Sequence, residues 1–255
     1  MGFINGEVSS VKKPSIDVFE YTGQFKRVLC VVAHPDDIDF GASGTIAYLT
    51  SQGCEVAYVM VTSGDAGGDD SKLTRRQRAA VRENEQRKAA QAVGVKAVAF
   101  LGYRDGLVES NLKLRKEIAQ KIRAFKPDLV ITQNPERNWE RIYASHPDHM
   151  AVGDAAIKAV YPDARNPHAF PRLMKNGYVP HTVPEVWVTG SEPNLAVDIT
   201  KFFSYKVAAL REHASQIGDG EGLEDRLKSW AESNAEAAGM KKNRLAESFR
   251  RMETR

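Results

Sequence analysis

Six short apolar runs punctuate the chain: "RVLCVVA" (27–33), "EVAYVMVTS" (55–63), "AVAFLG" (97–102), "DLVITQ" (128–133), "EVWVTG" (185–190) and "LAVDIT" (195–200). The first, second and fourth are nearly unbroken, which is how strands covered on both faces read; a strand with one wet face alternates. Between them, at about 43–52, 74–93, 111–125 and 147–160, apolar residues recur at helical spacing. Strand and helix thus alternate through the first two-thirds, and this order predicts an α/β fold with a mainly parallel sheet and flanking helices.

Two stretches depart from the pattern. Residues 161–184, "YPDARNPHAFPRLMKNGYVPHTVP", hold five of the eleven prolines without periodicity and read as a long surface excursion, a kind of segment that often carries function. From 201 onward the chain is polar, and 217–255 reads as a helical, charged tail whose end frays or packs on a partner subunit.

Composition narrows the classes. Thirty-six basic against thirty-three acidic residues give +3, spread along helical stretches, so no nucleic-acid partner is expected. Cys30 and Cys54 sit in or beside strand runs without CxxC spacing and read as reduced core thiols of a cytoplasmic protein. The N-terminus lacks the apolar core of a signal peptide, and no window approaches the roughly 18 apolar residues of a membrane span, so neither processing nor a membrane partner is expected.

The candidate chemistry begins at "AHPDDIDFGASG" (33–44), directly behind the first strand. In open parallel sheets ligands bind beyond the carboxyl ends of strands, so this loop is where a site is expected. Adjacent carboxylates at Asp36 and Asp37, close to a low-dielectric sheet, repel unless a cation or protons compensate them. A divalent metal held by imidazole and carboxylate meets that need. Taken alone, the cluster reads equally well as solvated aspartates (Asp36, Asp37, Asp39) capping the next helix beside an edge histidine, His34.

A second cluster, "SHPDHMAVGDAAIKAV", starts at Ser145. Pro147 suits the first helical position, which puts His146 at the cap and His149 one turn along on a similar face. Hydrolytic zinc commonly takes three protein ligands and keeps a fourth position for water, and His34, Asp37 and His149 supply such an N, O, N set. Asp36 is then free to act as general base, and His146 as acid or oxyanion stabiliser. Ligands of this kind accept Zn²⁺, Fe²⁺, Co²⁺ or Ni²⁺.

The pair "AHPDD…G..G" and "HPDH", with "GD" after the second strand, "LGYRDG" at 101–106 and "VDIT…K..AL..H.SQ" at 197–216, resembles the LmbE-like or PIG-L family of zinc-dependent de-N-acetylases. The resemblance runs from about residue 27 to 216, and 1–255 is read as one domain of this type. It implies a Rossmann-like fold, a small-molecule sugar or glycoconjugate substrate bearing N-acetylglucosamine, and hydrolysis of its acetamide. It also implies His34, Asp37 and His149 as zinc ligands, Asp36 as general base and His146 as oxyanion stabiliser or acid. Arg82, twelve positions before "GV" in the second helix, and Asp105 of "RDG" are implied as contacts to substrate hydroxyls. Many members read "AHPDDE"; here Ile38 takes that place and the acid comes one later, at Asp39. The resemblance allows a homo-oligomer and gives His213 at most a supporting role beside the site. Arg137 is read as a solvated arginine, and "GDAGGDD" (64–70) as a loop at the pocket rim. Two other readings remain: a zinc amidase acting on a thiol conjugate, and a catalytically silent sugar-binding protein of the same fold. A nucleotide-dependent oxidoreductase is disfavoured by the missing glycine fingerprint.

Overall fold

The computed structural model describes residues 15–68 and 71–254. In chain order its strands are β1 (Asp17–Val18), β2 (Arg27–Val32), β3 (Glu55–Thr62), β4 (Ala97–Tyr103), β5 (Leu129–Gln133), β6 (Glu185–Thr189), β7 (Leu195–Asp198) and β8 (Ala246–Glu253). The helices are α1 (Asp37–Ser51), α2 (Arg75–Ala92), α3 (Leu112–Phe125), α4 (Pro147–Lys158), α5 (Pro171–Lys175), α6 (Phe203–Arg211), α7 (Ala214–Ile217) and α8 (Leu223–Ala237). Every apolar run of the sequence is a strand, and the sheet order is β1-β7-β8-β6-β5-β2-β3-β4. All pairings are parallel except those of β8, which runs antiparallel to both β6 and β7.

The unbroken runs are explained by two cores, one on each face of the sheet. Cys30, Val32, Met60 and Ile131 pack with Ile46 of α1, Val207 of α6 and Leu227 of α8. Their neighbours Leu29, Val31, Val59 and Val130 point the other way, against Ile118 of α3 and Val152 of α4. Each such side chain contributes about 1.5–3 kcal/mol by leaving water, so both sets of alternate positions must be apolar. Local signals delimit the helices: Thr74 and Gln77 form a capping box at α2, and the Asn111 side chain accepts the Leu114 N–H at α3.

Strand β2 lies between β3 and β5, and the chain order reverses there. A crevice at that switch point is where such sheets bind ligands. The loops that follow β2 and β5 carry the two histidine-aspartate motifs.

One expectation needs correction and another refinement. The end of the chain is not a helical tail: after α8 it enters the sheet as β8, between β6 and β7. Its one aromatic side chain, Phe249, is fully buried, while Arg251 is paired with Glu185 at 2.9 Å, so the segment meets an interior position with a polar-looking sequence. The excursion 161–184 does run over the surface, but it is anchored. Leu173 and Val183 are buried, and the guanidinium of Arg123 (1% exposed) donates to the carbonyls of Asp163, Ala164, Asn166, Ala169 and Tyr178, fastening the segment to α3. It supplies none of the site residues described below. The strand β1 was not foreseen in the sequence.

Candidate metal and catalytic site

Helix α1 begins abruptly behind β2. Its cap, Asp36, has φ 89°, a left-handed conformation that costs a non-glycine residue of order 1–3 kcal/mol and persists only when its surroundings hold it. Three contacts do so. The Asp36 N–H donates to Gln86 Oε1 (2.8 Å), and one Arg82 nitrogen donates both to the Pro35 carbonyl (2.7 Å) and to Asp36 Oδ2 (3.0 Å). Across the switch point, Pro147 opens α4, and His146 caps it by accepting the Asp148 N–H on Nδ1 (3.2 Å).

These two turns place His34 at the centre of a polar cluster. On one edge its Nδ1 lies 3.1 Å from His149 Nε2 and 3.2 Å from Asp37 Oδ2, and His149 Nε2 is 3.0 Å from Asp37 Oδ1. On the other edge its Nε2 faces Asp148 Oδ2 (3.1 Å) and Asp105 Oδ1 (3.2 Å). The His146 ring centroid is 4.8 Å from that of His34 and 5.1 Å from that of His149.

The first edge fits a metal ion. Donors about 2.0–2.1 Å from a tetrahedral centre stand roughly 3.3 Å apart, close to the spacing of these three groups. Two further groupings, His34–His146–His149 and His34–Asp105–Asp148, also bring ligand atoms within 4.8 Å of one another. Asp148 is less suited to ligation, because its oxygens already accept the N–H groups of Gly106 (2.7 Å) and Val108 (3.1 Å). Facing the far nitrogen of His34, it matches the carboxylate that orients a metal-bound imidazole.

The charges follow from this crowding. Burial opposes a charged His34, but hydrogen bonds from Asp105, Asp148 and Asp37 outweigh it and push the imidazole up to about 12. Burial and the neighbouring Asp37 charge raise Asp36 to about 7, against the pull of Arg82. Asp37 is held far below the carboxylate range: burial opposes this, and the charge and hydrogen bond of His149 prevail. His146 is lowered by burial and by the charges of His34 and His149, so it is neutral near pH 7. With Nδ1 accepting a backbone N–H, its proton sits on Nε2.

The structure brings together all seven residues singled out from the sequence, but two of them not as expected. Arg82 is 4% exposed, and its two terminal nitrogens donate to the Gly64 and Pro35 carbonyls and to Asp36 Oδ2, while its buried Nε has no hydrogen-bond partner. Asp105 is buried, facing His34 on one oxygen and accepting the Ala66 N–H on the other. Arg82 thus contacts Asp36, and Asp105 contacts His34, with little of either side chain exposed. The alternative of solvated aspartates also fails for Asp39, which is wholly buried and accepts from Gln86 Nε2 (2.8 Å) beside His213 Nε2 (2.9 Å). His213 is likewise buried, raised because the hydrogen bond and charge of Asp39 overcome burial. Gln86 and Asp148 were missed. Asp148 was legible inside "HPDH", whereas nothing in the helical run around Gln86 marks one glutamine from its neighbours. Of the loop 64–70, residues 69 and 70 lie outside the described residues; Gly64 and Gly67 pack on Arg82.

A family model described as PIG-L, GlcNAc-PI de-N-acetylase, matches residues 29–160. This chain belongs to the PIG-L family. Among PIG-L relatives, a diacetylchitobiose deacetylase of Thermococcus kodakarensis is 33% identical over 81% of this chain and 76% of its own length. A probable N-acetyl-alpha-D-glucosaminyl L-malate deacetylase 2 of Bacillus anthracis is 31% identical over 75% of this chain and 82% of its own. The solved structure of N,N'-diacetylchitobiose deacetylase from Pyrococcus horikoshii, in complex with an inhibitor, superposes with a TM-score of 0.82 at 34% identity, covering 90% of this chain and 84% of that one. The PIG-L match contains His34, Asp36, Asp37, Arg82, Asp105, His146 and His149, and ends before β6, α6, α8 and β8. No helix among the described residues is long and apolar enough to cross a membrane.

Proposed function

We propose that the chain is a metal-dependent hydrolase that releases acetate and a free amine from an N-acetylglucosamine-type glycoside, with His34, Asp37 and His149 as the ligands. The observation that carries this reading is the convergence of those three donors at 3.0–3.2 Å with Asp36 next in the chain. His34, Asp37 and His149 would hold the ion, for which Zn²⁺ is our choice, and it would supply a Lewis acid that makes nearby water acidic. Asp36, next in the chain to the proposed ligand Asp37 and held by Arg82, takes the proton of the attacking water. Arg82 fixes the carboxylate through Oδ2, leaving Oδ1 for the proton. As the amide carbonyl becomes tetrahedral, His146 donates from Nε2 to the developing oxyanion as a neutral imidazole. The proton held by Asp36 then passes to the nitrogen as the C–N bond breaks, which balances the reaction. Asp148 and Asp105 hold His34 by its far nitrogen.

In place of the substrate contacts expected of them, we assign Arg82 and Asp105 to positioning the base and the first ligand. A cytoplasmic location is the reading the two buried, unbridged thiols support best, and the oligomeric state is to be measured alongside activity. The test combines metal content with amine release from N-acetylglucosamine and N,N'-diacetylchitobiose, with and without a chelator. Asp36→Ala is expected to keep its metal and lose most activity, while His149→Ala loses metal. A metal-free Asp36→Ala protein, or chelator-resistant amine release, contradicts the assignment.

A further inference from the structure

Arg82 and Asp105 are buried, at 4% and 8% exposure, so groups that reach a substrate are sought in the adjoining cavity. A cavity of about 1080 Å³ opens beside Asp37 and His149. It lies just above the roughly 300–1,000 Å³ of ligand pockets, more than one N-acetylhexosamine fills. Its walls have two origins. Near Asp37 and His149 they are the family-matched start of α1, end of β5 and start of α4; farther out they are α8, β8 and the loop after β6, which lie beyond the match.

The outer wall is built for a ring. Trp230 of α8 lines the cavity with 49% of its surface exposed, although the helix holding it is firmly seated through Leu227 and Ala231, each 3% exposed. Lys206 Nζ, anchored by Glu247, lies 5.9 Å from the indole centroid. The same cavity is lined by amides and hydroxyls, among them Asn134, Asn234 and Ser248, and by charged side chains such as Glu136 and Arg137. An aromatic face flanked by planar polar groups suits a pyranose, whose C–H face is apolar while its rim carries hydroxyls. A long acyl chain is the poorer occupant, since it leaves those amides and hydroxyls desolvated and unmatched.

We propose that Trp230 is the platform of a second subsite, which takes the sugar ring attached to the one bearing the reacting acetamide, and that the C-terminal segment thereby sets substrate length. The proposal rests on the deacetylase reading for its first ring. Stacking on Trp230 strengthens binding only of substrates that have a second ring.

The experiment uses the zinc-loaded full chain as wild type, Trp230→Ala and Trp230→Phe. Amine release is measured on N-acetylglucosamine and N,N'-diacetylchitobiose, and calorimetric binding of the disaccharide is measured with each position-230 residue in the non-hydrolysing Asp36→Ala background. Trp230→Ala is expected to lower the disaccharide-to-monosaccharide ratio of kcat/KM roughly three- to tenfold and to weaken disaccharide binding by a similar factor. Trp230→Phe restores most of both, which separates stacking from damage to α8. A ratio and an affinity that Trp230→Ala leaves unchanged overturn the subsite, while amine release by wild type leaves the deacetylase reading standing. Conversely, Trp230-dependent disaccharide binding without amine release from either sugar upholds the subsite and removes the reaction.

Discussion

Removing the carboxylate of Asp148 separates the support of the site from its ligands. This side chain is fully buried, accepts the Gly106 and Val108 N–H groups, and faces His34 Nε2 at 3.1 Å. In Asp148→Ala the buried Val108 N–H is stranded, at about 1–3 kcal/mol, and the more exposed Gly106 loses a charged acceptor, at about 1.5–3 kcal/mol. The expected loss of folding stability is therefore roughly 3–6 kcal/mol, read by urea denaturation. The milder Asp148→Asn keeps one acceptor oxygen but cannot both satisfy the two N–H groups and receive the His34 proton. Without that partner His34 loses its fixed tautomer and some basicity, and metal affinity should fall about 10–100-fold, read by competition with a chromogenic chelator. The stability term also has a defined pH window. Asp148 is lowered, its hydrogen bonds to His34, Gly106 and Val108 overcoming burial. Its contribution is thus full above the unfolded carboxyl value of about 4, and shrinks as pH falls below that toward the depressed folded value. An Asp148→Asn protein with wild-type metal affinity refutes the reasoning, because it shows that the edge of His34 facing Asp148 does not govern the edge facing the metal.

Other perturbations test neighbouring parts of the design. A Cβ on Gly64, whose φ is +62°, would stand 2.2 Å from an Arg82 nitrogen, so Gly64→Ala should displace the guanidinium and lower kcat as Arg82→Ala does; kinetics of the double variant should show little further loss. Lys206 and Glu247 form a buried pair at 2.7 Å that also binds the Asp39 and Phe40 carbonyls and the Gly44 and Thr45 N–H groups of α1. Breaking it by Glu247→Ala should cost about 3–5 kcal/mol in denaturation, and Lys206→Met added to that variant should recover part of the loss. Because His213 is raised by Asp39, its stabilising term is complete below the unfolded value of about 6.5 and is lost as pH rises through the folded one. Thermal melts should show wild type losing this increment on the alkaline side, and His213→Gln lacking the dependence.

What the sequence disclosed and what it hid follow one physical line. The β2 run and the "HPDH" turn were readable because buried parallel strands are apolar at every position and a Pro at the first helical position is a local signal. Strand β8 was hidden because it has one buried aromatic, Phe249, and its charged residues are neutralised by partners such as Glu185 that are distant in sequence. Arg82 was legible as a site residue but not as a buried one. Its burial depends on Gly64 and Gly67 lying flat against the guanidinium, a contact between a loop and a helix that no periodicity encodes. Gln86 and His213 are of the same kind: each matters because Asp39 lies between them.

That last contact changes how the aspartate-rich motif is understood. Three acids crowd one turn, yet the structure gives each a different counterpart. Asp37 faces His34 and His149, Asp36 meets Arg82, and Asp39 is buried with His213 and Gln86. Gln86 joins the last two, accepting from the Asp36 backbone while donating to the Asp39 carboxylate. The left-handed turn at Asp36, unfavourable alone, is therefore fixed from α2 and from the segment before α7 together. Because His213 lies outside the family-matched span, the posture of the proposed base depends on the same C-terminal part of the chain that walls the cavity. Chemistry and selectivity are thus not assigned to separate halves of the molecule: substitutions between residues 206 and 248 should act on kcat through the first turn of α1 as well as on substrate choice.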